Sequence, residues 1–272
     1  MVSAEVPGSP GRSGIAFMLL GHRAVVTWRE PPALPGPDAI PAATAGAAAV
    51  RAALTAAAPL LVQIDHVLGA ETGELSRVAR GELDIPQCDP MAVAILEFCS
   101  NAYHQTDGGF DAFVEGATGR RHLDPGFPGL ALAADRVASR LHQDTGLALV
   151  LRCDSVAAVR TTPADPAPFA VHLLGTAGGT DAETVVPLTD GGAVACGMRV
   201  GVPGGLVAVA SPSLPWAAVY AAVLAREGRA GMRRLRSVPG LQAAIRTPSG
   251  AAVTLRDGQI ATATPSAQYA HR

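Results

Sequence analysis

The spacing of apolar positions changes several times along this chain, and each change marks an element. Phe17 to Trp28 alternates loosely and ends in Val25-Val26-Thr27-Trp28, which predicts a first strand. Pro31 to Pro41 is a proline-rich loop. Ala42 to Val67 has helical composition and predicts a helix broken near Pro59. The segment Thr72-Gly73-Glu74-Leu75-Ser76-Arg77 follows. Asp89 then sits as an N-cap before Pro90, and Val93, Ile95, Leu96, Cys99 and Tyr103 recur near a period of 3.6, so a helix runs to about His104.

The second half is richer in strands. Leu130 to Thr145 predicts a helix stopped by Gly146, and Leu147 to Leu151 a short buried strand. Phe169 to Leu174, Glu183 to Leu188, Ala193 to Ala195 leading into Cys196-Gly197, and Leu206 to Ala210 read as further strands. Pro215 to Arg226 is a helix with proline at its start. Leu241 to Ile245 and Ala252 to Leu255 form a last strand and hairpin. Interleaved helices and strands define an α+β, or mixed α/β, class. Residues 1–14 are Gly/Pro/Ser-rich and are expected to be a disordered tail. Residues 15–272 then form one domain, with 161–168 as the candidate lobe boundary. The sequence contains no internal repeat.

Composition narrows the partners. Half the chain is apolar and only 16% is charged, with a net charge of −2, so a basic nucleic-acid face is not expected. Every one of the 21 basic residues is arginine. The arginine and alanine bias fits a GC-rich bacterial genome, and no lysine is present to act as nucleophile or phosphate hook. The start lacks the basic and apolar regions of a secretory signal, and Ala42 to Leu61 is interrupted by Arg51 and Pro59, so no membrane span is expected. Cys88, Cys99, Cys153 and Cys196 are scattered without zinc spacing, as in a cytoplasmic protein with buried thiols.

The candidate chemistry lies between residues 104 and 136. Thr106-Asp107-Gly108-Gly109-Phe110-Asp111 is followed by Leu123-Asp124-Pro125-Gly126 and Ala133-Ala134-Asp135-Arg136. Upstream are Leu20-Gly21-His22 and Glu74-Leu75-Ser76-Arg77; downstream are Cys196-Gly197 and Pro239-Gly240-Leu241. In this order the motifs resemble the FAD:protein FMN transferase family, also called ApbE-like, over residues 17 to 258. That family cuts FAD with a divalent metal and moves FMN onto a protein threonine. The resemblance implies an ApbE-like two-lobed fold with mixed sheets flanked by helices.

The departures from the family pattern fall on its chemistry. Gly126-Phe127-Pro128-Gly129-Leu130-Ala131 stands where the family has a glycine-rich stretch containing lysine. Arg152-Cys153 replaces a glycine pair before Asp154, and the family's histidine-bearing block after Cys196-Gly197 is missing. Trp216 and Tyr220 replace the Asp and Thr of the metal segment. Mg²⁺ prefers hard oxygen ligands anchored by carboxylate, which an indole cannot supply. The expectation is therefore no metal site, no required cofactor, no dependence on Mg²⁺ and weak FAD binding at most.

Three residues are candidates for catalysis. His22 is a titratable imidazole in place of a family threonine, Cys196 is a thiol at a cleft position, and Tyr220 is a phenol in the metal segment. Thr106, Asp107, Phe110, Asp124, Arg152 and Gly197 are candidate ligand contacts. Each also has a structural reading: a glycine turn, a helix cap, a buried thiol, or an ion pair such as Asp135 with Arg136. Three functions stay open. One is an enzyme with a rebuilt, metal-independent cleft acting on a small molecule in bacterial metabolism. Another is an FAD-dependent FMN transferase retaining the family activity. The third is a non-catalytic homologue that binds a small molecule or flavin. The polar replacements favour the first.

Overall fold

A computed structural model describes residues 4–5, 13–30, 42–115, 121–123, 126–177, 180–188, 190–197, 205–247 and 251–263. The chain begins with β1 (Ala4–Glu5), β2 (Ser13–Leu19) and β3 (His22–Trp28), then α1 (Ala42–Ala56), α2 (Ala58–Leu68), α3 (Glu74–Ala79) and α4 (Pro90–Gln105). The short pair β4 (Phe113–Glu115) and β5 (Arg121–Leu123) leads to α5 (Gly126–Thr145). The strands β6 (Leu149–Cys153), β7 (Val156–Arg160), β8 (Phe169–Ala177), β9 (Thr180–Leu188), β10 (Gly191–Gly197) and β11 (Leu206–Ser211) follow. The chain continues through α6 (Leu214–Glu227), α7 (Arg229–Leu235), β12 (Gln242–Arg246), β13 (Ala252–Arg256) and β14 (Gln259–Ala263).

Ten strands form one antiparallel sheet in the order β1-β2-β3-β6-β7-β10-β11-β12-β13-β14. The α+β class is what the interleaved pattern predicts. Both faces of the central strands are covered. Ala24, Val26, Leu149, Leu151, Val194 and Val207 join the core beneath the helices. On the other face Val150, Val159, Ala195 and Ala208 join a second core that includes Phe169, Val171 and Leu188 of the β8–β9 hairpin. All six residues of β11 are buried for this reason. Strands covered on both faces read as continuous apolar runs, without the alternation that marks a half-exposed strand.

Several elements differ from the sequence expectation. The single strand over Phe17–Trp28 is a hairpin, because Leu20 and Gly21 take left-handed φ values of 51° and 77° and turn the chain back. This is the two-residue geometry that suits strand twist. Ser13 and Gly14, inside the expected tail, belong to β2, and Ala4–Glu5 pairs with it; the other residues of the 1–14 segment lie outside the described residues. The strand β7, the helix α7 and the final strand β14 have no counterpart in the expectation. α5 starts four residues before Leu130, with Pro128 in its first turn, where its missing N–H costs nothing. The break in the first helical segment falls at Ala57, just before Pro59.

Segment 161–168 is tied down by Arg29. Its guanidinium donates to Asp165 Oδ1 at 2.9 Å and to the carbonyls of Ala167 at 2.8 Å and Pro168 at 2.6 Å, and it lies 3.9 Å over the Phe169 ring. No single helix among the described residues is long and apolar enough to cross a membrane; α1 and α2 pass that test only together, across a 50° bend.

Candidate functional site

The Thr106-Asp107-Gly108-Gly109 block is the C-terminal turn of α4. Asp107 and Gly108 adopt φ of 50° and 71°, and Gly108 N–H donates back to Tyr103 C=O at 2.8 Å. These bonds satisfy carbonyls that a helix end leaves open. Thr106 is buried; its hydroxyl donates to Ala102 C=O at 2.7 Å and accepts from Phe110 N–H at 2.8 Å. Phe110 is buried in the helix-side core. The structure therefore gives both residues packing roles in the turn. A Cβ on Gly109 would sit 2.8 Å from Thr106 C=O and 3.3 Å from Val223 of α6, so the turn seats against α6 only as glycine. Asp107 is fully exposed at its tip.

Two arginines that the sequence reading passed over hold this turn from outside. Arg226 Nη2 donates to Gly108 C=O at 2.7 Å, and Arg234 Nη1 donates to Thr106 C=O at 2.8 Å. The signal was present in the run Arg226-Glu227-Gly228-Arg229-Ala230-Gly231-Met232-Arg233-Arg234-Leu235-Arg236. Charge runs usually mark a solvated face, and only the fold puts this one against a glycine turn.

Cys196 lies near the end of β10 with its thiol 3.6 Å from Ala221 C=O of α6, buried and donating. The contact packs the thiol against α6 as a weak donor. Tyr220 is adjacent on α6 and nearly buried, and burial raises its phenol above the ordinary value. That favours a neutral hydroxyl that donates a hydrogen bond over a phenolate base. Its ring stacks on Trp216 at 5.5 Å and 28°, and Trp216 meets Phe98 of α4 edge-on at 5.2 Å. The positions that the resemblance assigns to metal are thus occupied by an aromatic stack. Among the described residues no group of three or more His, Cys, Asp or Glu could hold a metal ion. An indole and a phenol at these two positions offer no carboxylate to anchor Mg²⁺.

His22 opens β3 immediately after the first hairpin turn. Its Nδ1 lies 2.7 Å from Asp154 Oδ2, and both side chains are about half exposed. Asp154 sits at φ 50° in the two-residue turn between β6 and β7, so two neighbouring hairpin turns present the pair. With Nδ1 facing the carboxylate, Nε2 is the nitrogen left to meet solvent or a ligand.

These groups share one end of the sheet. Ala24, Cys153, Val156 and Val194 lie opposite one another in successive strands, which sets His22 and Cys196 at the same end and on the helix-covered face. Three strand spacings of about 4.8 Å separate β3 from β10, roughly 14 Å. His22 and Cys196 therefore border the same sheet end without touching. Cys196, Tyr220 and the glycine turn all meet α6; His22 stands apart with Asp154. Arg152 is half-buried on β6, and pleat alternation sets it on the opposite face from Cys153 and Cys196. Gly197 ends β10 beside Cys196. Asp124 lies outside the described residues, as do residues 198–204, where the missing family block would fall, and the Phe127 side chain.

Other motif residues prove architectural. Asp135 pairs with Arg160 of β7 at 2.7 Å rather than with its neighbour Arg136. Glu74, buried in the Glu-Leu-Ser-Arg motif, accepts from Asp89 N–H at 2.7 Å and meets His66 Nε2 at 3.1 Å, joining α2, α3 and the start of α4. The Asp89 carboxylate is held below its ordinary range by the N–H of Met91 and then by Gln63.

A ten-stranded antiparallel sheet with helices on one face and a β-hairpin on the other, with His22, Asp154 and Cys196 at one sheet end, is the class that fold and site define. It is the fold of the ApbE flavin transferases. The flavin transferase ApbE of Vibrio cholerae superimposes with a TM-score of 0.62 over 96% of this chain and 97% of that one, at 12% identity. The flavinyl transferase ApbE of Pseudomonas stutzeri gives 0.58 over 96% and 94%, at 17% identity. The ApbE protein of Thermotoga maritima gives 0.60 over 92% and 96%, at 10% identity. No protein-family model and no curated protein matches the sequence.

Proposed function

We propose that this chain is an ApbE-fold protein with a rebuilt cleft, an enzyme that works on a small molecule without Mg²⁺ and no longer transfers FMN from FAD. The observation that carries this reading is the Phe98–Trp216–Tyr220 stack. It puts an indole and a stacked phenol where the resemblance calls for a carboxylate and a threonine hydroxyl around a metal. Without a cation, charge developing on a pyrophosphate is left unneutralised.

In this reading His22 is the acid/base group. Asp154 orients it through Nδ1, so Nε2 exchanges the proton with the substrate. Tyr220 contributes a neutral hydroxyl donor, and Cys196 packs the cleft wall. None of the described cysteines is in a disulfide, which suits a reducing cytoplasm.

One observation favours the non-catalytic reading instead. The His22–Asp154 pair is about half exposed, as in an ordinary surface ion pair.

Calorimetry with Mg²⁺, with and without FAD, tests the proposal directly: no stoichiometric heat is expected. Metal-dependent transfer of FMN to a threonine-bearing acceptor would sink it. Mass spectrometry of small molecules that co-purify with the protein would supply the substrate. With that substrate, His22→Ala is expected to abolish turnover and leave the melting temperature nearly unchanged. Full turnover with a lowered melting temperature would move the binding reading ahead.

A further inference from the structure

The far edge of the sheet carries a feature unrelated to the cleft. Among the described residues β14 is the last strand in the order, paired on one side only, to β13. Natural edge strands are guarded by charges, proline or bulges, because their outward N–H and C=O groups template further pairing. β14 reads Gln259-Ile260-Ala261-Thr262-Ala263 and has none of these guards. Gln259 to Thr262 are exposed, Ile260 at 38%.

The register identifies which groups face outward. Asp257 and Gly258 take φ of 49° and 73°, a two-residue turn that makes Arg256 and Gln259 a hydrogen-bonded pair. Gln259, Ala261 and Ala263 then bond inward to β13, and the backbone groups of Ile260 and Thr262 point away from the sheet. Ile260 and Thr262 lie opposite Leu255 and Val253, and Leu255 belongs to the helix-side core. Their side chains therefore share the helix-side face.

α7 runs along that face. Arg229 donates to Thr262 Oγ1 at 2.8 Å, and a Cβ on Gly258 would lie 3.1 Å from Arg236 C=O. Arg229, Arg233 and Arg236, on or next to α7, are all exposed. Glu227 is engaged by Arg226 and Arg234, which leaves Asp257 as the acid at the β13–β14 turn. A chain of net charge −2 thus concentrates positive charge beside its unguarded edge.

We propose that β14 is a docking edge for an extended acidic segment of a partner protein. The segment adds as an eleventh strand, bonds to the backbone of Ile260 and Thr262, and sets carboxylates against the α7 arginines. Charge complementarity selects this occupant. Two copies joined edge to edge would bring their arginines together. Residues 264–272, Thr-Pro-Ser-Ala-Gln-Tyr-Ala-His-Arg, contain no acid to meet them. Successive side chains of a strand alternate in face, so the segment should carry an acid and, two residues away, an apolar side chain that covers Ile260.

The test uses the whole chain and a fluorescein-labelled peptide repeating Glu-Thr-Val-Thr, which sets glutamate and valine on one face, with a Lys-Thr-Val-Thr peptide as control, read by anisotropy at low salt. The glutamate peptide should bind, weaken as salt rises, and exceed the lysine peptide by at least about tenfold. The double variant Arg229→Glu/Arg233→Glu should reduce binding by at least about tenfold. Ile260→Pro, which removes an outward N–H and leaves the ladder to β13 intact, should do the same with an unchanged melting temperature. Absence of glutamate-peptide binding, equal binding of both peptides, or indifference to the arginine reversal overturns the proposal. Self-association of the chain that Ile260→Pro abolishes would assign the edge to a second copy and overturn it as well.

Discussion

The Thr106 hydroxyl bridges the last turn of α4 and Phe110 N–H in a buried position, so its removal leaves a backbone donor unpaired. Thr106→Val should cost about 1–3 kcal/mol in urea unfolding. A cost near zero would show that the turn is held by the two arginines alone. Burial pushes the Cys153 thiol up to about 12 and the Cys99 thiol to about 11. Both should stay silent to a thiol reagent at pH 8 in the native protein and react on unfolding. The unfolded chain ionises these thiols from about 9, whereas the native protein resists until about 11 at Cys99 and about 12 at Cys153. Stability from this source is therefore complete below pH 9 and falls as pH rises toward 12. Melting temperatures across pH 8 to 11 should decline more steeply in the wild type than in Cys153→Ala.

At the level of elements, the approach of α6 to the sheet is set by Gly192 on β10. A Cβ there would lie 2.4 Å from Leu214 Cβ and 2.9 Å from Ala157 C=O. Gly192→Ala should force α6 outward and cost about 1–3 kcal/mol. Because α6 also carries Tyr220 and the contact to Cys196, a shifted Trp216 emission should accompany the loss. An unchanged spectrum and stability would mean that the helix start is looser than its packing indicates. Element identity was legible where the pattern was amphipathic or capped: Asp89-Pro90 opens α4, and Gly146 closes α5. The strand β7, Val-Ala-Ala-Val-Arg, was not, because cover on both faces erases the alternation that marks a strand.

For the molecule as a whole, the β8–β9 hairpin packs on the sheet through the second core, and Arg29 fastens the segment leading into it. Arg29→Ala removes three hydrogen bonds and the stacking on Phe169 at once. Limited proteolysis should then open new cuts within residues 161–168 while the helix-side core stays resistant. Cutting that begins in α1 or α5 would mean that Arg29 supports the entire sheet. The two faces thus answer to different forces, helix packing on one side and a pinned hairpin on the other.

By itself the sequence determined the α+β class, the main helices and an ordered set of motifs whose resemblance points to the ApbE fold. Periodicity, caps and glycine turns are local, so they survive in one dimension. It also put Trp216 and Tyr220 where the family resemblance expects an Asp and a Thr, since side-chain chemistry can be read without coordinates. Only the tertiary structure decided what those residues touch. Strand register placed His22 beside Asp154 and roughly three strands, about 14 Å, from Cys196. Pleat alternation sent Arg152 to the other face, and packing against α6 and α7 turned the Thr106–Gly109 block into a clamped helix end. Contacts between residues far apart in the chain depend on how strands pair and faces close, and no local pattern encodes them.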